Sequence, residues 1–190
     1  MSEPTDTSPP VATPCSQTNG VLSEGPCWEV GREELLWVDI VGKQLHRAQL
    51  GPDGSLHAPE TVSFDRPVAA VAPAADGGYI LAAGTGFLFL DASGKVHELA
   101  QPESANRGVR MNDGACDPQG RFWAGSMAED ESPGAGALYR LGCDGSCRLV
   151  QGHVVVALRR WLLLQPFAVP FGPLVVARSE AQLADKRVEA

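Results

Sequence analysis

The chain has 190 residues, 44% of them hydrophobic, and carries a formal net charge of −8 with a pI near 4.9. That length and apolar fraction describe one soluble domain able to bury a core, and the acidic balance excludes a nucleic-acid binder, whose phosphate contacts need a positive footprint. Five cysteines, an odd number with no zinc-type double pair, fit a reduced, cytoplasmic chain, and 21 glycines with 15 prolines imply many turns.

Residues 1–20 contain several Pro, Ser and Thr and no apolar run, so a disordered leader is expected there. The stretch lacks both the basic start and the hydrophobic core of a secretory signal. From residue 21 a repeat sets in. Leu35–Asp39, Tyr79–Ala83 and Arg121–Gly125 each read as a short buried strand, centred on residues 37, 81 and 123, which are 44 and then 42 residues apart. Another strand follows each of them, Gln44–Leu50, Gly86–Asp91 and Ala137–Leu141. Turns come next at Pro52-Asp53-Gly54, Ala92-Ser93-Gly94 and Cys143-Asp144-Gly145, and then final strands at Leu56–Val62, Val96–Leu99 and Cys147–Val150.

Four short antiparallel strands in a unit of just over forty residues make the blade of a β-propeller, so the expected fold is all-β, with about three blades over residues 21–150. A β-sandwich competes, because evenly spaced short strands also suit it, but the aligned aromatic strands and repeated turns favour blades. After Leu149 the character changes. Residues 153–177 are apolar, yet Arg159-Arg160 and Pro166, Pro170 and Pro173 interrupt them, which argues against a membrane span. Residues 151–190 therefore read as a divergent tail, foreign to the repeat, as a shifted reading frame would produce.

Chemistry concentrates in Arg110-Met111-Asn112-Asp113-Gly114. In an extended backbone Arg110 and Asn112 project from one face, a cation beside an amide, and Asp117-Pro118-Gln119-Gly120 turns the chain into the next strand. Arg110 with Asp113 could equally be a surface ion pair, and Asn112-Asp113-Gly114 alone reads as a turn. Glu24, before Gly25-Pro26, could be an ordinary loop residue. His46, His57, His97 and His153 are scattered and take no role, and the two thiols Cys143 and Cys147 simply flank a hairpin turn. No serine-nucleophile elbow, phosphate-binding loop or paired-cysteine metal motif is present.

Taken together, Leu22-Ser23-Glu24-Gly25-Pro26-Cys27-Trp28, the Arg110–Gly114 segment with its Asp-Pro-x-Gly-Arg turn, Ala124-Gly125-Ser126-Met127 and Gly136-Ala137-Leu138-Tyr139 resemble the gluconolactonase family, which includes regucalcin. The resemblance covers roughly residues 21–150. It implies a six-bladed propeller with one divalent metal, calcium, zinc or manganese, in its central channel, acting on a sugar lactone. By the same resemblance Glu24 is the first metal ligand, Arg110 and Asn112 bind substrate, and Asp130 stands where the family has a substrate-contacting Glu, on a shorter arm. Oxygen ligands suit a hard cation, and the guanidinium of Arg110 suits sugar hydroxyls or developing negative charge.

The family's remaining metal ligands, an Asn and an Asp that also acts as general acid or base, have no counterpart here. No asparagine follows Asn112, and the late aspartates are Asp144, in a hairpin turn, and Asp185, in the charged tail. The expectation is thus a weakly active or inactive lactonase relative, with no catalytic residue assigned. The alternative is a non-catalytic β-rich protein that self-associates through open sheet edges. No nucleic-acid or membrane partner is expected.

Overall fold

The computed structural model describes Pro14, Cys15, residues 20–75 and residues 77–154. Twelve strands occupy these residues: β1 (Ser23–Glu29), β2 (Glu34–Asp39), β3 (Gln44–Leu50), β4 (Leu56–Ser63), β5 (Val68–Pro73), β6 (Tyr79–Ala83), β7 (Gly86–Leu90), β8 (Val96–Ala100), β9 (Val109–Cys116), β10 (Phe122–Ala128), β11 (Gly136–Leu141) and β12 (Cys147–Val154). They form three separate four-stranded sheets, each an antiparallel meander of consecutive strands. Trp37, Leu81 and Trp123 fall on the second strand of each, as the period predicts. Three stacked sheets are successive propeller blades, and the two-layer sandwich is excluded.

Two layers of apolar side chains hold the sheets together. Leu36, Val38 and Leu45 of the first sheet meet Val68, Leu81 and Leu88 of the second. On the other face of the second sheet, Ile80, Phe87 and Phe89 meet Met111, Phe122 and Tyr139 of the third. Phe87 and Phe122 pack edge to face with ring centroids 6.0 Å apart, the arrangement that ring quadrupoles favour. Because the middle sheet is covered twice, every residue of β6 and β7 is buried. That accounts for their unbroken apolar runs, where a half-exposed strand would alternate.

A polar clasp supplements the first layer. The Tyr79 hydroxyl donates to Glu34 and accepts from Arg32 and, at 3.2 Å, from Arg47, so a residue of the second sheet ties down three of the first. Burial, and then the bond to Glu34, push the Tyr79 phenol above its ordinary pKa.

The hairpin turns share one device. Asp53, Asp91, Asp117 and Asp144 each accept backbone N–H bonds from residues ahead in the turn, and Gly54, Gly94, Gly120 and Gly145 follow at positive φ. At Gly94, φ is 84° and a Cβ would meet nothing within 4 Å, so strain there is purely conformational. Gly94→Ala should cost about 1–2 kcal/mol in a denaturant titration without altering the fold; an unchanged midpoint would contradict this reading of the turn.

The third sheet continues past the expected boundary. β12 runs to Val154 and pairs with Gly136–Leu138 through two register shifts, so the outer strand ends four residues later than the apolar pattern indicated. Of the expected leader, only Pro14, Cys15 and Gly20 are described, and the Cys15 carbonyl accepts the Leu56 N–H at 3.2 Å. The rest of the leader and residues 155–190 of the expected tail lie outside the described residues. Among the described residues, no helix is long and apolar enough to cross a membrane.

Candidate functional site

The first strands of the three sheets lie side by side, with β5 between β1 and β9. Two contacts set their levels. A Cβ at Gly25 would lie 3.9 Å from the Ala69 carbonyl, so the starts of β1 and β5 are level. The Gly84 N–H donates to the Pro67 carbonyl at 2.8 Å while the Gly84 carbonyl accepts from Met111 at 2.7 Å, which brings the start of β9 to that height. Glu24 and Arg110, the second residue of β1 and of β9, therefore share one end of the array, joined there by Asn112. Asp130 lies at the same end, because β10 runs antiparallel to β9 and Met127 pairs with Arg110.

Local chemistry shapes each position. The Asp39 carboxylate, at the end of β2, accepts the N–H groups of Val21 (2.7 Å), Leu22 (3.0 Å) and Gly42 (2.8 Å), and so pins the chain just before Glu24. Burial pushes this carboxyl up, but the three backbone donors outweigh it and hold it below its ordinary pKa. Beyond Glu24, Gly25 takes φ 58° within a register shift between Glu24 and Cys27, a bulge that interrupts the regular ladder there. Glu24 is exposed.

On β9, Arg110 Nη1 donates to the Met111 carbonyl at 3.0 Å and to Asn112 Oδ1 at 3.4 Å, so the cation and the amide share a face as alternation predicts. Asn112-Asp113-Gly114 is strand, and the turn reading of that tripeptide is set aside. Asp130 is exposed, and its Oδ1 accepts the Ser132 N–H at 3.0 Å; these bonds to Ser132 hold its carboxyl below the usual range. The carboxylate thus already serves its own turn, besides its shorter arm.

One buried group was not found from the sequence. Glu103, in the segment joining β8 to β9, is 1% exposed; its Oε1 accepts from the hydroxyls of Ser126 and, at 2.9 Å, Tyr139, and its Oε2 accepts from the Asn106 amide. Its own N–H donates to the Thr85 carbonyl at 3.0 Å. The segment that delivers Arg110 is therefore fastened to both the second and third sheets. Burial, with the bond to Glu103, raises the Tyr139 phenol. A single Glu in a loop offers no pattern from which this could be read.

A divalent cation does not fit the donor set at hand. Glu24 offers one carboxylate, and among the described residues no three His, Cys, Asp or Glu side chains converge, whereas calcium takes about six to eight oxygens.

Comparison with known proteins decides the lineage. The profile of the SMP-30/Gluconolactonase/LRE-like region family matches residues 22–157. The chain belongs to this family. It is 35% identical to 6-deoxy-6-sulfogluconolactonase of Pseudomonas putida over 139 residues, 72% of this chain and 46% of that one. Against human regucalcin the identity is 37% over 124 residues, 62% of this chain and 40% of the relative. Among solved structures, the calcium-binding protein regucalcin of Agrobacterium tumefaciens superposes with a TM-score of 0.68 and 26% identity, over 75% of this chain and 47% of that one. The chain thus spans less than half the length of these relatives.

Proposed function

We propose that the chain carries the sugar-lactone recognition surface of a metal-dependent lactonase and turns over lactone at most feebly. What supports this is the Arg110–Asn112 pair on a first strand, held by a bond from Arg110 to the Met111 carbonyl and one from Arg110 to Asn112 Oδ1, in a family that includes a sulfogluconolactonase. Arg110 presents guanidinium donors to ring and hydroxyl oxygens, Asn112 adds an amide, and Asp130, whose Oδ1 accepts the Ser132 N–H, joins them through its other carboxylate oxygen. Glu24 stands where the resemblance puts the family's first metal ligand. Calcium, zinc or manganese would polarise a lactone carbonyl if held there, but one carboxylate does not hold it, and no step is assigned to it. A cytoplasmic setting completes the proposal, supported by five cysteines that are all unpaired.

General acid–base catalysis contributes roughly 10²–10⁴-fold and needs a positioned group. The described residues offer none: Asp144 is engaged by Ser146, at 2.6 Å to its hydroxyl. The test is proton release from glucono-lactone with calcium, zinc or manganese added, together with gluconate binding followed by NMR. Expected are a rate near the uncatalysed one and weak, saturable binding that Arg110→Ala abolishes. Metal-dependent turnover that Glu24→Gln removes would overturn the assignment of weak activity and show that residues outside those described complete the site.

A further inference from the structure

We infer that Asn106 is a positioning residue for the lactone-recognition surface, an assignment that rests on the reading of that surface proposed above. Its bond to Glu103 fixes the short exposed segment from which the chain delivers Arg110 and to which the neighbourhood of Asp130 is tied. A recognition surface needs such support, since its side chains hold their geometry only as well as the groups behind them do.

Arg110 is held from both directions along the chain. On its far side the Met111 N–H donates to the Gly84 carbonyl at 2.7 Å. On its near side the chain arrives through residues 104–108, all exposed, a stretch whose shape its own polar bonds must keep. There the Asn106 N–H donates to the Glu103 carbonyl at 2.9 Å, and the Asn106 side-chain amide donates to Glu103 Oε2. Among the described residues, no other side chain of this stretch makes a hydrogen bond. Glu103 is itself fixed by the hydroxyls of Ser126 and Tyr139. An exposed amide is thus spent on a buried carboxylate, and bonds to a charged partner are the stronger kind.

Gly108 then joins the two sides of the surface. It turns the chain into β9 at φ 72°, with nothing within 4 Å of where a Cβ would stand, and its carbonyl accepts the Glu129 N–H at 2.8 Å while Val109 pairs with Ala128. Asp130 follows directly on Glu129. A glycine in open space passes between backbone conformations at little cost. Asn106, two residues upstream, is therefore what keeps Gly108 in the orientation that serves Glu129. Without its bond the Gly108–Glu129 contact loosens, and Arg110 and the Asp130 turn lose their common footing.

The test uses the full chain and nitrogen-15 NMR. Asn106→Ala should shift or broaden the backbone amides of Arg110 and Glu129 with no ligand present. It should also weaken gluconate binding about 10-fold, the worth of one bond to a charged group expressed as the fraction of chains left in the competent shape. Asn106→Asp, which sets a second carboxylate against that of Glu103, should weaken binding further. The urea midpoint of Asn106→Ala stays at the wild-type value, because an exposed segment frays without opening the sheets. Asp117→Ala, at the opposite end of β9, is the converse control: it lowers the midpoint and leaves gluconate binding unchanged. Arg110 and Glu129 amides that do not move in Asn106→Ala overturn the inference, as does binding that Asn106→Ala leaves intact or that follows the urea midpoint across the variants. A wild type that binds no gluconate overturns the recognition reading instead, and the ligand-free amide signals still decide whether Asn106 places Arg110.

Discussion

Glu103→Ala is expected to lower the stability of the chain by about 3–5 kcal/mol, a large part of the ~5–15 kcal/mol that holds a domain folded. The alanine removes the acceptor for the Ser126 and Tyr139 hydroxyls and the Asn106 amide, two of them in a fully buried position. Each buried donor left without a partner costs about 1–3 kcal/mol. Ser126 keeps a bond to the Ala137 backbone, which places the sum inside that range instead of above it. Glu103→Gln preserves the shape and one acceptor oxygen and should cost less than half as much. Urea titration of the three proteins is the check, and an alanine variant with the wild-type midpoint would remove Glu103 from the account of how Arg110 is positioned.

Asp117 is the second large effect and it brings a pH dependence. Its carboxylate accepts the N–H groups of Gln119 and Arg121 at 3.0 Å each, the Trp123 indole at 2.8 Å and the Arg121 guanidinium, and its side chain is 7% exposed. Burial acts to raise its pKa, but the indole and the Arg121 backbone and side chain outweigh it and bring the folded value below the ordinary one. A carboxyl depressed in the folded state contributes stability that is complete above its unfolded pKa of about 3.9 and disappears as pH falls through the folded value. Asp117→Ala should therefore cost about 2–4 kcal/mol at pH 7, and the gap to wild type should narrow steadily below about pH 4. A gap of constant size down to pH 2 would show that the carboxylate charge is not what the turn uses.

The strands marked by an aromatic residue and followed by an Asp-Gly or Ser-Gly turn were legible, because Trp37 and Trp123 sit at a fixed period and the turns punctuate it. Two first strands were not. β5 is Val68-Ala-Ala-Val-Ala-Pro73, an alanine-rich run with weak strand propensity, and it becomes a strand because both sheets flanking it bury it. β1 is broken by Gly25-Pro26 and a bulge, so its alternation is lost at the place that presents Glu24. The expectation that Glu24, Arg110 and Asn112 lie near one end came from family resemblance alone, since no local pattern links residues 86 apart. The Tyr79 clasp was equally hidden, its partners being 45 and 47 residues away in sequence.

The burial of the middle sheet on both faces has a consequence for how the chain opens. A sheet with no solvent-facing side cannot peel away alone, so the amides of β6 and β7 should exchange with deuterium only through cooperative unfolding of all three sheets. The outer strands β4 and β12, exposed over most of their length, are free to fray one hydrogen bond at a time. The protection profile would then peak near residue 85 and dip at β4 and again at β12, and the repeat so regular in sequence would behave in exchange as a single cooperative body with soft outer strands.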